Sequence, residues 1–96
     1  MDAETLYRQL GRLIETVPIF SPYGDLSADQ QQWLARARAL IRETGDLTLM
    51  TGFSQLIGPF YGPARTEALP QLMQILYDAL AAAETDFINA DPRPKK

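Results

Sequence analysis

The chain has 96 residues, 46% of them hydrophobic, which suits one domain with a single core. It contains no cysteine and no histidine, so disulfides, thiolate chemistry, the commonest metal ligand and the commonest general base are all excluded. The lack of cysteine fits a reducing compartment, and the acidic start does not resemble a secretory signal, so we expect a cytoplasmic protein. No stretch approaches the roughly 18 apolar residues of a membrane helix.

The net charge of −3 is unevenly distributed along the chain. Three of the nine cations, Arg93, Lys95 and Lys96, lie in the last four residues, which leaves 12 acids and 6 bases elsewhere. An acidic body of this kind repels phosphate backbones, because nucleic-acid affinity depends on cations that displace counterions. The charge pattern therefore argues against a nucleic-acid partner.

The first helix is predicted over about residues 3–17, with Asp2 as its N-cap. Gly11 lies inside it, at a cost of about 1 kcal/mol relative to alanine. We expect another helix to approach closely there, and Pro18 to stop the first helix. The apolar stripe that predicts this helix consists of Leu6, Leu10, Leu13, Ile14 and Val17.

The second helix is predicted over about residues 28–44 and has the clearest end signals. Ser27 and Gln30 form a Ser-x-x-Gln capping box, in which each side chain accepts from a backbone N–H of the other residue. Gly45 follows the last core residue and suits the C′ position, because glycine adopts positive φ without strain. Its apolar face consists of Trp33, Leu34, Ala37, Leu40 and Ile41.

The third helix is predicted over about residues 48–57, with either Asp46 or Thr48 as its N-cap. Gly58 and Pro59 are expected to end it. Its apolar stripe consists of Leu49, Met50, Phe53, Leu56 and Ile57.

The fourth helix is predicted over about residues 66–89, with Thr66 as a cap and Pro70 in the first turn. Residues 91–96 are expected to form a polar tail that is disordered or bound to a partner. The core face of the fourth helix is predicted to consist of Leu69, Leu72, Met73, Leu76, Leu80, Ala83 and Phe87, widened by Ile75, Tyr77 and Ile88. Short connections favour antiparallel neighbours, so we predict an all-α fold, a compact bundle of four helices in a single domain over residues 1–90.

No catalytic, cofactor or metal site is predicted. The serines have no histidine to activate them, and the glycines match neither dinucleotide nor P-loop patterns. Asp25, Ser27 and Asp29 are spaced like the start of a calcium-binding loop. The sixth position of that loop is Gln30 rather than glycine and the twelfth is Arg36 rather than glutamate, so a capping loop explains them better. The sequence therefore favours a protein that is not an enzyme.

The arginines of the second helix have two interpretations. Arg38 and Arg42 are i, i+4 neighbours, whereas Arg36 projects away from Arg38. Pairing with acids such as Glu43 is the simpler expectation, because surface charges are commonly paired or solvated. The alternative is that these guanidinium groups bind an acidic partner or a nucleotide.

Two proline-rich loops carry large apolar side chains outside the helical stripes. Phe20 and Tyr23 lie in the first loop, and Phe60 and Tyr61 lie in the second. We expect them mainly to cover the ends of the core. The alternative is an exposed anchor surface, because aromatic residues and arginine concentrate in binding hot spots.

The sequence resembles the N-terminal helical association domains of bacterial conflict and defence effectors over most of residues 3–86. The segments that carry the resemblance are 6–15, 33–41 with Thr44-Gly-Asp46, and 76–84. It implies association or sensing, with no catalytic residues. We therefore expect an adaptor, regulator or oligomerisation domain that binds a protein partner or itself. A small-ligand or nucleotide sensor that uses the second-helix arginines is the alternative.

Overall fold

The computed structural model describes residues 1–89, and within that range the fold consists of four α-helices with no strand. They are α1 (Ala3–Glu15), α2 (Ala28–Glu43), α3 (Leu47–Phe60) and α4 (Arg65–Asn89). Each helix packs against its neighbour in the chain, and α4 closes the bundle against α1 and also crosses to α2. The all-α, four-helix prediction is confirmed, while the predicted tail lies outside the described residues.

The predicted helix ends are confirmed where a polar side chain caps them. Asp2 accepts a hydrogen bond from the Thr5 N–H at 2.8 Å, and this bond lowers the pKa of the Asp2 carboxyl below its ordinary value. Ser27 and Gln30 form the predicted capping box, with bonds of 2.8 and 3.2 Å. Gly45 has φ +69°, as a C′ glycine requires.

Asp46 rather than Thr48 is the N-cap of α3, because its carboxylate accepts from the backbone N–H groups of Thr48 and Leu49. The prediction that Gly58 and Pro59 end α3 is wrong by about one turn, because the helix includes both and ends at Phe60.

The ends of the other helices also differ from the prediction. The N-cap assigned to Thr66 is wrong, because α4 begins at Arg65 and the N–H of Ala68 bonds to the Ala64 carbonyl. Helix α1 ends at Glu15 rather than residue 17. Pro18 disfavours helical geometry at the preceding residue, Val17.

The core follows the predicted stripes, with one apolar face of each helix buried. Trp33 is 5% exposed, and its indole N–H donates to the Leu13 carbonyl at 3.0 Å, which ties α2 to α1. The predicted face of α4 is too wide, since Tyr77 and Ile88 are more than half exposed. The close helix contact predicted at Gly11 is not formed within residues 1–89, because a Cβ placed there meets no atom of those residues within 4 Å.

Candidate functional site

The two proline-rich loops meet at one end of the bundle through an aromatic cluster. The ring of Phe20 lies edge-on to those of Trp33 and Phe60, with centroid distances of 5.9 and 5.2 Å. Phe60 is fully buried and Phe20 is half-buried. The role of these two residues in covering the core is confirmed, and an exposed anchor at Phe60 is wrong because its side chain does not reach the surface.

Arg65, which the sequence did not single out, holds the two loops together. It is 4% exposed, and its guanidinium donates to three backbone carbonyls: Phe60 at 2.7 Å, Ser21 at 2.6 Å and Gly24 at 2.8 Å. The planar fork of arginine suits several fixed acceptors at once. The predicted start of the fourth helix at residue 66 hid this role, because a cation in the first turn opposes the helix dipole unless another partner compensates, and Arg65 lies in the first turn of α4.

The Arg65 contacts leave other loop side chains in solvent. Tyr23, which lies between two of the carbonyls bound by Arg65, is 83% exposed, and Tyr61 is 58% exposed. Ile19 is 94% exposed, although its backbone carbonyl is held by the Gln30 amide. The loops therefore combine fixed backbone with exposed apolar side chains, which is the preorganisation that a docking surface requires.

Three of the predicted site residues come together in a groove between α2 and α3. Arg38 and Arg42 line both of its adjoining cavities, of about 250 and 210 Å³. Tyr61 lines the larger cavity, together with Leu34 and Ile57. We call this surface the α2–α3 groove; its other lining residues are Gln31, Ala35, Ala39, Ile41, Met50, Phe53 and Ser54.

The α2–α3 groove carries positive charge without a matching acid. No charged residue occurs in α3, and within residues 1–89 neither Arg38 nor Arg42 forms an ion pair. The predicted partner, Glu43, instead contacts the amino group of Met1 at 3.1 Å. Pairing with Glu43 is therefore wrong as an account of these arginines, and both guanidinium groups remain open to solvent.

The remaining predicted residues lie apart from the groove. Arg36 is exposed, but two residues correspond to 200° around a helix, so it lies on the opposite flank of α2 from Arg38. Tyr23 and Phe20 belong to the loop before α2 and do not line the groove. The structure thus brings together Arg38, Arg42 and Tyr61.

Other site classes find no support in the part of the chain that the structure describes. No three acidic side chains in that part come close enough to hold a metal ion. None of its helices is both long and apolar enough to cross a bilayer.

Comparisons with known proteins do not assign the chain to a family. No family model, no curated protein and no solved structure matches it.

Proposed function

We propose that this protein is a non-catalytic helical interaction module that binds an acidic, amphipathic segment of a partner protein in the α2–α3 groove. The supporting observation is the pair Arg38 and Arg42, which are unpaired within residues 1–89 and lie beside an apolar floor. Guanidinium groups bind carboxylates through paired hydrogen bonds, and arginine and tyrosine are frequent interface hot spots.

The spacing of the groove residues favours a helical partner. Arg38 and Arg42 are one helical turn apart, which matches carboxylates at positions i and i+4 of a second helix. Leu34 and Ile57 would contact the apolar face of that helix, as in other helix-in-groove complexes. Tyr61 would close one end of the contact.

A small anionic ligand is the second candidate, because the same two arginines line both cavities of the groove. The shape of the groove favours the protein partner. Ligand sites usually enclose most of the ligand surface, whereas both adjoining cavities of the groove are open to solvent. A shallow groove of this kind suits a partner that brings its own apolar surface.

A role as adaptor or regulator in a bacterial defence system is part of this proposal and rests on the resemblance of residues 3–86. The proposal also includes a cytoplasmic setting, because the lack of cysteine fits a reducing compartment.

Charge reversal with a matched control tests the groove. Proteins cross-linked to the wild-type chain in native lysate are identified by mass spectrometry, and their acidic segments are synthesised as labelled peptides. Arg38→Glu should weaken peptide binding at least about 10-fold, because it places like charges together. Arg36→Glu makes the same charge change on the opposite flank of α2 and should leave the affinity within about 2-fold. Equal losses in the two variants would mean that net charge, not the groove, determines binding.

A thermal-shift screen of nucleotides and dicarboxylates separates the ligand alternative. A ligand at 100 times its dissociation constant adds about 2.7 kcal/mol to the free energy of unfolding. A shift of that size that disappears in Arg38→Glu and persists in Arg36→Glu would favour the sensor function over the interaction module.

A further inference from the structure

Gly11 lies in the interior of α1, and nothing within residues 1–89 requires a glycine there. A Cβ at this position meets no atom of those residues within 4 Å, so alanine would fit. Alanine would also favour the folded helix about five-fold more than glycine does. We propose that a second copy of this chain packs against α1, with the two α1 helices crossing antiparallel at Gly11 in a two-fold dimer.

The spacing of residues around Gly11 fits a two-fold axis. Tyr7 and Ile14 are half-buried and seven residues apart, and Arg8 and Glu15 are exposed and also seven residues apart. Tyr7 and Arg8 precede Gly11 by four and three residues, and Ile14 and Glu15 follow it by three and four residues, so the four residues are spaced almost symmetrically about Gly11. In an antiparallel crossing at Gly11, Arg8 therefore faces Glu15 of the second copy, and Tyr7 lies level with Ile14 of the second copy.

The exposed charges of α1 include both signs, so they complement the α1 helix of a second copy better than a partner surface that carries charge of only one sign. A two-fold interface uses the same surface twice, so that surface must carry both a group and its complement. Arg8 and Glu15 meet this requirement and would form two identical ion pairs. The present contact of Arg8 with Glu4, at 3.1 Å, is solvent-exposed and can be exchanged at little cost.

The surface around Gly11 is concave and partly apolar. Tyr7, Gly11, Ile14 and Leu80 are among the residues that line an open concavity of about 770 Å³, and Arg8 and Glu15 lie on the same surface. Phe87 stacks on Tyr7, with ring centroids 6.1 Å apart, and extends the apolar area. A glycine at the crossing point lets two helix backbones approach more closely than larger side chains allow.

Substitution of Gly11 by alanine tests the close approach without disturbing the protomer. Sedimentation equilibrium should show a wild-type dimer, and Gly11→Ala should raise its dissociation constant about 10-fold or more, because the added methyl overpacks the crossing. The midpoint of thermal unfolding at a concentration where both proteins are monomeric should stay equal or rise. Gly58→Ala, another helical glycine with open space around it, is the control and should leave the dimer intact.

Charge exchange tests the two-fold arrangement itself. Arg8→Glu and Glu15→Arg should each weaken the dimer, because each places like charges opposite one another twice. The double variant restores both pairs in reversed order and should recover most of the affinity. A wild-type chain that stays monomeric near 1 mM, or a double variant as weak as the single variants, would overturn the proposal. Arg38→Glu should not affect dimerisation, so the failure of this proposal is distinguishable from failure of the α2–α3 groove.

Discussion

Replacement of Arg65 by methionine should be among the most destabilising single changes in this bundle. The substitution keeps an unbranched side chain but removes all three hydrogen bonds to the Phe60, Ser21 and Gly24 carbonyls. Hydrogen bonds from charged donors contribute about 1.5–3 kcal/mol each, and desolvation of the buried guanidinium offsets part of that. If the net stabilisation is about 1 kcal/mol for each of the three hydrogen bonds, Arg65→Met should lower the free energy of unfolding by about 3 kcal/mol.

Urea denaturation followed by circular dichroism measures this loss directly. A change of about 3 kcal/mol is a large share of the 5–15 kcal/mol typical of folded proteins, and it should lower the melting temperature by roughly 12–24 °C. Arg36→Met removes an exposed arginine that has no ion-pair partner within residues 1–89, and it should change stability by less than about 0.5 kcal/mol.

An Arg65→Met variant that loses no stability would refute the stabilising role of the three Arg65 hydrogen bonds. Some buried charges can be replaced by apolar side chains with no loss, because the cost of desolvation equals the gain from pairing. An Arg65→Met variant as stable as Arg36→Met would place Arg65 in that class. The loops would then be held together by the aromatic contacts of Phe20 rather than by the guanidinium.

Two further predictions concern the helix ends. The hydrogen bond from the Thr5 N–H lowers the pKa of Asp2 below its ordinary value, so the capping contribution of Asp2 is present above about pH 4 and is lost as the pH falls through the lowered pKa. Asp2→Asn should therefore reduce the change in the Thr5 amide NMR shift between about pH 2 and 5, and a change as large as in the wild type would contradict this cap. Gly45→Ala should cost about 1–2 kcal/mol in urea denaturation, because alanine is strained at φ +69°, whereas an effect no larger than that of Gly58→Ala would show that the loop relaxes.

The sequence predicted features that depend on neighbours in the chain. The Ser27 and Gln30 capping box and the positive φ of Gly45 are set by residues within one turn, so the ends of α2 were predicted to within one residue. The end of α3 was not, because the helix continues through Pro59 although its ring removes one backbone hydrogen bond, and the N–H groups of Tyr61 and Gly62 close the last turn on the carbonyls of Gly58 and Pro59. That outcome depends on burial of Phe60, which is a tertiary effect.

The candidate site was predictable only in part for the same reason. Arg38, Arg42 and Tyr61 were recognised by residue type, but their meeting depends on how α2 packs on α3. The Arg65 contacts join residues 41 and 44 positions apart in the chain, a separation that no local pattern reports. The open space at Gly11 is likewise visible only once all four helices are in place.

The two proposed surfaces have a joint consequence. Helices α1 and α3 do not contact one another in the bundle, so pairing through the outer face of α1 leaves the α2–α3 groove of each copy open. A dimer would then present two grooves, and a partner with two acidic segments would bind the second one at a high effective concentration. A peptide that carries two copies of the acidic segment should therefore bind the wild type at least about 100-fold more tightly than a peptide with one copy. At a concentration where the wild type is dimeric and Gly11→Ala is monomeric, the variant should lose most of that gain and keep the single-peptide affinity, because it alters valency and not the groove.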